Sequence, residues 1–141
     1  MVSIPESAQA LVASPALGHL VTLNPDGSPQ ATCVWLGLDN GDLVFGSLYE
    51  WQKIKNLRRD PRVAVTVESD RVDPAGLRQY LIVNGEAAVD EGGGLDLVRR
   101  LARAYIGPDT AYPPKAPDGD GYVVRITAHR IGGVGPWAAA G

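Results

Sequence analysis

Alternating hydrophobic and polar positions mark the first part of the chain as a set of short strands. Residues 17–23 alternate, and the sequence Asn24-Pro25-Asp26-Gly27 that follows is a strong turn signal. A second strand is predicted over residues 29–38, and the polar residues 39–42 turn the chain into a third strand over residues 43–46. Strands joined by short turns pair with their neighbours in sequence, so this region is predicted to form a meander of three antiparallel strands.

The rest of the chain adds three more strands and a helix. Buried strands are predicted over residues 63–67 and 80–87, and Gly85 in the second of them indicates a bulge or a barrel corner. Residues 106–121 contain four prolines and predict a long irregular loop, followed by a last strand over residues 122–131 and an irregular tail. Before this loop the hydrophobic period is that of a helix, set by Leu95, Val98, Leu101, Ala102 and Tyr105.

These elements predict a mainly β fold in a single domain over residues 1–141. Six antiparallel strands, with a short helix between the third and fourth and a longer one before the last, fit a closed barrel. A chain of 141 residues is large enough to bury a core without disulfides or structural metals. The sequence Ser3-Ile4-Pro5-Glu6 also predicts a short helix over residues 5–13, because Ser and Glu at this spacing cap a helix start.

The helix between the third and fourth strands is predicted from its end signals and its apolar stripe. Ser47 and Glu50 have the capping-box spacing, and Pro61 cannot continue a helix, so the element is about ten residues long. Its apolar residues recur on one face, which is predicted to pack in the core. These residues are Trp51, Ile54 and Leu57. Trp35, on the second strand, is also expected in the core.

This helix carries most of the positive charge of the first half of the chain. Residues 53–62 hold five of the thirteen basic residues and one acid, Asp60, so the segment has a charge of +4 in a chain of net charge −3. Such groups form charge-assisted bonds to phosphate and carboxylate, although a charge run is also typical of a solvated face. Nucleic acid is not an expected partner, because the pI is near 5.3 and the basic residues cluster on one short helix.

Other classes of site are excluded or not indicated. Cys33 is the only cysteine, which excludes an internal disulfide and a cysteine-built metal site. His19 and His129 are too far apart in sequence for metal-ligand spacing, so no metal site is expected. Neither a signal peptide nor a membrane span is indicated, and a cytoplasmic protein is therefore expected.

Three blocks of sequence carry a resemblance to a known family. They are H-L-V-T-L-x-x-D-G-S-P-Q at residues 19–30, K-x-K-N-L-R-R-D-P-R at residues 53–62 and V-x-G-x-A at residues 83–87. Together they resemble the pyridoxamine 5′-phosphate oxidase-like split β-barrel superfamily, and within it the deazaflavin-dependent oxidoreductases that use coenzyme F420. The similarity covers residues 16–133, and the second block is its most specific part.

The resemblance implies a homodimer that binds an anionic cofactor in a groove between the subunits. Lys53 matches the family's cofactor-phosphate lysine, with Lys55, Asn56 and Arg59 as supporting donors. Arg58 and Arg62 are assigned instead to the fold or to the dimer contact.

The resemblance also implies where the cofactor ring lies. Its walls are expected on the second and third strands, at residues 31–34 and 46–48, with Thr32, Cys33, Val34, Ser47 and Leu48 as contacts. For Cys33 a small buried hydrophobe is the alternative, and Ser47 would combine the helix cap with a cofactor contact. Trp137 near the chain end is expected to cover the partner's groove or to pack between subunits.

The function implied by the resemblance is hydride transfer from reduced coenzyme F420 to an electron-poor small molecule. The protein would supply orientation and exclusion of water, with no side chain covalently involved and with water or Tyr49 as the proton source. Three alternatives remain: an oxidase or flavin reductase that binds FMN, a carrier that binds the coenzyme without turnover, and a haem-binding member of the superfamily. The context of the two histidines gives the last one little support.

Overall fold

The fold is a strongly curved antiparallel sheet with three helices against it. The computed structural model describes residues 1–138. In chain order its elements are α1 (Glu6–Ala13), β1 (Gly18–Leu23), β2 (Pro29–Val34), β3 (Gly37–Asp39), β4 (Asp42–Ser47), α2 (Gln52–Arg59), β5 (Arg62–Val72), β6 (Arg78–Glu91), α3 (Gly94–Tyr105), β7 (Tyr122–Val134) and a 3₁₀ turn (Pro136–Ala138).

The strand order shows how the sheet closes on itself. The order is β2-β1-β5-β6-β7-β4-β3, with every neighbouring pair antiparallel. The two edge strands β2 and β3 are consecutive in the chain, and only Trp35 and Leu36 separate them. Because two residues span only a few ångströms, the ends of the two edge strands must lie close together. The mainly β, barrel-like fold expected from the sequence is confirmed.

Two details of the predicted topology are wrong. The second strand, predicted over residues 29–38, is divided at Trp35 and Leu36, so the described residues contain seven strands rather than six. The three-strand meander is wrong in one respect: β1 pairs with β2 and β3 pairs with β4, as predicted, but β2 and β3 lie at opposite edges of the sheet, and the other partner of β4 is β7. Val34 and Leu36 both point to the core, so the inward alternation passes through the corner without a break. The hydrophobic pattern therefore carries no sign of the change of partner.

Tyr105, the last residue of α3, holds the corner between β2 and β3. Its hydroxyl accepts a hydrogen bond from the Leu36 N–H (3.0 Å) and donates one to the Ala16 carbonyl (2.8 Å). Burial of the hydroxyl raises its pKa, so it stays a neutral donor. Gly18 allows the close approach here, since a Cβ on it would lie 2.6 Å from Leu36 Cδ1. One phenol thus joins the segment before β1 to the corner.

The core lies inside the curved sheet, and the helices cover its openings. Phe45, Leu20 and Ile126 are fully buried at its centre, and α1 adds Ala8 and Val12. A second cluster lies under α3, formed by Val44, Leu97 and Leu101. None of the helices described in residues 1–138 is long and apolar enough to cross a membrane.

The glycine at position 85 marks a bulge, as its sequence context predicts. The register between β6 and β7 shifts between Asn84 and Gly85. A Cβ on Gly85 would overlap the carbonyl of Thr127 on β7, so the two backbones approach more closely here than a side chain allows. The bulge therefore depends on glycine.

We expect Tyr105→Phe to destabilise the fold by about 1–2 kcal/mol, because a buried N–H and a carbonyl lose their partner. Urea unfolding measures this as a lower midpoint. Tyr112→Phe is the matched control, since Tyr112 is 38% exposed and its hydroxyl is not part of the corner. Equal midpoints for the two variants would contradict the role of the Tyr105 hydroxyl.

Candidate functional site

The basic helix begins later than its sequence suggests. It starts at Gln52 after the N-cap residue Trp51, which makes no capping hydrogen bond through its side chain. Ser47 is the last residue of β4, paired with Tyr122 of β7, and its hydroxyl donates to the Tyr49 carbonyl (2.6 Å). The predicted capping box is therefore wrong. Ser47 is buried as part of the sheet and lies before the connection that leads to the helix.

The apolar stripe of α2 is confirmed at two of its three positions. Ile54 and Leu57 are buried, but Trp51 is 48% exposed and the core position predicted for it is wrong. Trp51 precedes the first helical residue, so the helical period does not set its direction. Asn56 faces inward instead and is completely buried.

The Asn56 amide attaches α2 to the β1–β2 hairpin. Its Nδ2 group donates to Thr22 Oγ1 (3.0 Å) and Asn24 Oδ1 (3.0 Å), with a longer contact to Gln30 Oε1 (3.4 Å). Its Oδ1 accepts from Gln52 Nε2 at 2.8 Å. An amide held in this way has no free donor for a ligand, so Asn56 positions the helix.

The three arginines of the basic segment are also engaged within the chain. Arg59 donates to the Leu23 carbonyl and to Asn56 Oδ1. Arg58 pairs with Glu50, and its guanidinium lies 5.0 Å from the centre of the Tyr122 ring.

Arg62 forms the third of these arginine contacts. Its Nη2 lies 2.7 Å from Asp60 Oδ2, and it lowers the pKa of that carboxyl to about 2. Arg58 and Arg62 thus both have partners within the chain, and their alternative role in a dimer contact stays a prediction. Of the five basic residues in this segment, two arginines are therefore paired with carboxylates and a third is bound to a carbonyl group of the hairpin.

Lys53 differs from the arginines because it faces a groove. Within residues 1–138 it forms no ion pair, and its ammonium lies 5.2 Å from the centre of the Trp51 ring. It is partly buried, and this burial lowers its pKa. A half-buried ammonium without a carboxylate is poorly compensated by the protein alone, and an anionic ligand would compensate it.

The groove has a volume of about 280 Å³ and is mostly apolar and aromatic. It brings together four of the residues predicted from the sequence: Cys33, Val34, Leu48 and Lys53. Gly46, within the wall segment 46–48 expected from the sequence, also lines it. Its other walls come from residues that the sequence did not indicate as site residues: Leu17, Trp35, Trp51, Val98 and Tyr112.

The other predicted site residues lie outside the lining of this groove. Lys55 is exposed on α2, while Thr32 faces inward from β2. The Thr32 hydroxyl oxygen is buried and has no hydrogen-bond partner among the described residues. Trp137 is buried in its own chain, where its indole N–H donates to the Tyr80 carbonyl (3.0 Å). This contact occupies the indole N–H within its own chain, and the expected role of Trp137 at a second subunit stays a prediction.

Two aromatic residues of the groove were missed because their partners are distant in sequence. Trp35 was expected in the core but is only half-buried, at the corner between β2 and β3. It stacks on Tyr105 at 5.7 Å and meets Tyr112 edge-on at 5.2 Å. Tyr112 belongs to the irregular segment 106–121. The only sequence signal for a functional role of this segment was its length and its proline content, since long loops in compact domains are often functional.

A larger cavity, of about 570 Å³, lies on the other side of Leu48. Its lining includes four carboxylates, Glu50, Glu91, Asp118 and Asp120. Arg58 neutralises one of them by pairing with Glu50, but the remaining acids disfavour an anionic ligand. The smaller groove with Lys53 is therefore the better site for an anion, although the acidic cavity is larger.

Comparison with known proteins assigns the chain to a family. The pyridoxamine 5′-phosphate oxidase family matches it over residues 4–135. The chain belongs to this family. The resemblance read from the three sequence blocks is thus confirmed, and none of the curated proteins compared with the chain matches it.

Solved structures of the same fold include proteins of several kinds. An F420 reductase is 29% identical, with a TM-score of 0.73, and the match covers 92% of this chain and 98% of that protein. A conserved hypothetical protein from Mycobacterium tuberculosis is 26% identical, with a TM-score of 0.68 and coverage of 93% and 84%. A heme binding protein from Mycobacterium smegmatis is 28% identical, with a TM-score of 0.62 and coverage of 96% and 55%.

The groove of this family member fits a flat anionic cofactor of the flavin type. The planar side chains of Trp35, Trp51 and Tyr112 offer surfaces for an aromatic ring. Lys53 supplies one cation at the same groove, and it lacks a carboxylate within the described chain. Aromatic walls and an ammonium without a carboxylate partner are chemically suited to a ring that carries a phosphate-bearing side chain.

We expect Asn56→Ala to destabilise the protein by about 2 kcal/mol or more, because buried partners on α2 and the hairpin lose their hydrogen bonds. Lys55→Ala, one residue away on the exposed side of α2, should change stability by less than about 0.5 kcal/mol. Urea unfolding of both variants measures the difference. Near-equal stabilities would show that the amide network is dispensable.

Proposed function

We propose that this protein is an oxidoreductase that binds a deazaflavin or flavin in the groove beside Lys53. The preferred cofactor is coenzyme F420, which when bound supplies a hydride for the reduction of an electron-poor small molecule. The observation that carries the proposal is the half-buried Lys53 ammonium, unpaired within the described residues, at the edge of an aromatic groove. No other basic side chain of α2 lines this groove.

The contribution of the protein to such a reaction is binding, orientation and exclusion of water. Lys53 pairs with an anionic group of the cofactor and fixes one end of it. Trp35 and Tyr112 would offer aromatic surfaces to the ring, and Leu48 lies between the groove and the acidic cavity. Tyr49 is 45% exposed and lies in the lining of that cavity rather than of the groove. Water is therefore the proposed proton source.

Two observations favour the deazaflavin over FMN. The F420 reductase of known structure covers almost the whole chain at 29% identity. The sequence block at residues 53–62 is also the part of the chain that most resembles deazaflavin-dependent enzymes. FMN remains the second candidate, because the family as a whole uses flavins. A carrier without turnover is the third, and mixing the reduced complex with enones and quinones distinguishes it from an enzyme.

The direct test is a fluorescence titration of the protein with coenzyme F420 and with FMN. We expect tighter binding of coenzyme F420. Tighter binding of FMN by about tenfold, or roughly 1.4 kcal/mol, would reverse the assignment of the cofactor within the same groove. Failure of both ligands to bind would overturn the proposed function.

In the same titration, Lys53→Ala should weaken coenzyme F420 binding by roughly 1.5–3 kcal/mol, the range of a hydrogen bond to a charged group. Thermal stability should stay nearly unchanged, because the variant removes a desolvated charge and no ion pair. Arg62→Ala is the matched control, since Arg62 is paired with Asp60. Equal losses of affinity in the two variants would show that Lys53 has no specific role.

The dependence of binding on pH provides a second readout of Lys53. Burial lowers its pKa, so the ammonium is lost at a lower pH than that of an ordinary lysine. The part of the affinity that Lys53 contributes should therefore be present at low pH and decrease as the pH rises through this lowered value. Lys53→Ala should lack this decrease, and added salt should weaken the wild-type complex more than the variant complex.

We also propose that the protein is a homodimer. The outer face of β1, β5 and β6 carries the half-buried residues Val21, Ala64, Thr66 and Ile82 on neighbouring strands. The outside of a barrel is normally polar, and a face of small and apolar residues is suited to an isologous contact with a second copy.

Light scattering at micromolar concentration should therefore give the mass of a dimer. Ile82→Arg places a charge in the outer face and should shift the mass toward the monomer. Leu77→Arg is the control, because Leu77 is 56% exposed in the turn between β5 and β6. A monomeric wild type would contradict the proposal.

A further inference from the structure

Cys33 and His19 form a pair on the outer face of the β1–β2 hairpin. The two residues lie directly opposite each other in the strand register. Cys33 Sγ is 3.6 Å from His19 Nδ1, and both side chains are exposed. This distance lets the thiol donate a hydrogen bond to the imidazole when Nδ1 carries no proton. The proposed hydride transfer does not use this pair.

The position of Cys33 distinguishes it from a cysteine that only fills space. It lies in the wall of the groove, next to Trp35 and in the same cavity as the Lys53 ammonium. An imidazole within hydrogen-bond distance can accept the thiol proton during an addition, and the thiolate is the reactive form of cysteine. The apolar walls also favour entry of small conjugated molecules from water.

We propose that Cys33 is a nucleophilic site that adds to conjugated carbonyl compounds in the groove, with His19 as its proton acceptor. The thiol proton passes to His19 Nδ1 while Sγ bonds to the β-carbon of the acceptor. The π electrons move to the α-carbon and the carbonyl, and the α-carbon then takes a proton from the imidazolium. The product is a thioether, with no net oxidation or reduction and no leaving group.

Such an adduct would occupy the space assigned to the cofactor ring. The site is therefore also a point of covalent inhibition by the same class of electrophile that the proposed enzyme reduces. The addition itself needs only Cys33 and His19 and no cofactor, so it stands independently of the proposed cofactor. His19 is paired with Thr66 in the strand register and therefore borders the face proposed for the dimer contact.

The test is the rate at which the whole protein, without added cofactor, reacts with N-ethylmaleimide, followed by intact mass spectrometry. Because Cys33 is the only cysteine, one addition reports this site, and Cys33→Ser should give none. His19→Gln should slow the addition by about fivefold or more at neutral pH, because the thiol loses its proton acceptor. His129→Gln is the matched control, since His129 is the only other histidine and lies on β7.

Two outcomes would overturn the inference. One is an equal rate for wild type, His19→Gln and His129→Gln, which would identify Cys33 as an ordinary exposed thiol. The other is a rate in the folded wild type no higher than in the same chain unfolded by urea. Thermal unfolding of His19→Gln checks that the variant is folded, and His19→Ala repeats the comparison with a smaller side chain.

Adding FMN or coenzyme F420 before the maleimide separates this inference from the proposed function. Protection of Cys33 by either cofactor would support a shared groove. Rapid, His19-dependent labelling without protection would support the nucleophilic site and count against the proposed place of the cofactor.

Discussion

The hydrogen bonds of the buried Asn56 amide determine how the candidate site is arranged. The Nδ2 group donates to Thr22 and Asn24 and so attaches α2 to the β1–β2 hairpin, while Oδ1 accepts from Gln52 within α2. A short helix has little stability of its own, so its orientation depends on such tertiary contacts. With Asn56 directed inward, Lys53 lies on the side of the helix that borders the groove. The position of the cation thus follows from a neutral residue three positions along the helix.

The segment between β4 and α2, which contains Leu48, lies between two cavities of opposite charge. Leu48 belongs to both linings, with Lys53 on one side and a group of carboxylates on the other. Arg58 reduces this contrast only partly, because it pairs with a single acid, Glu50. A ligand with an anionic part is attracted to the groove and repelled from the cavity beyond it. The charge distribution therefore favours binding of such a ligand and also one orientation of it, with its anionic part beside Lys53 and away from the carboxylates.

Much of the fold could be predicted from the sequence, because the spacing of hydrophobic residues and the turn signals are set within short stretches of the chain. The bulge at Gly85 and the helix that ends at Tyr105 are examples. The division of the second strand at Trp35 and Leu36 could not be predicted, since the inward alternation continues through the corner. Which strand β4 pairs with is a long-range choice. It depends on closure of the sheet rather than on any short stretch of sequence.

The candidate site could be predicted as a region but not residue by residue. The charge run marked the correct helix, yet the sequence does not show which cations have partners in the folded chain. Arginine presents a planar fork of donors, and Arg58, Arg59 and Arg62 use theirs on carboxylates and backbone carbonyls. Lysine is a point charge on a flexible stem, and the Lys53 ammonium reaches the groove, where it lies beside the Trp51 ring. The difference between the two kinds of cation explains why a segment with four more basic than acidic residues leaves one ammonium in the groove.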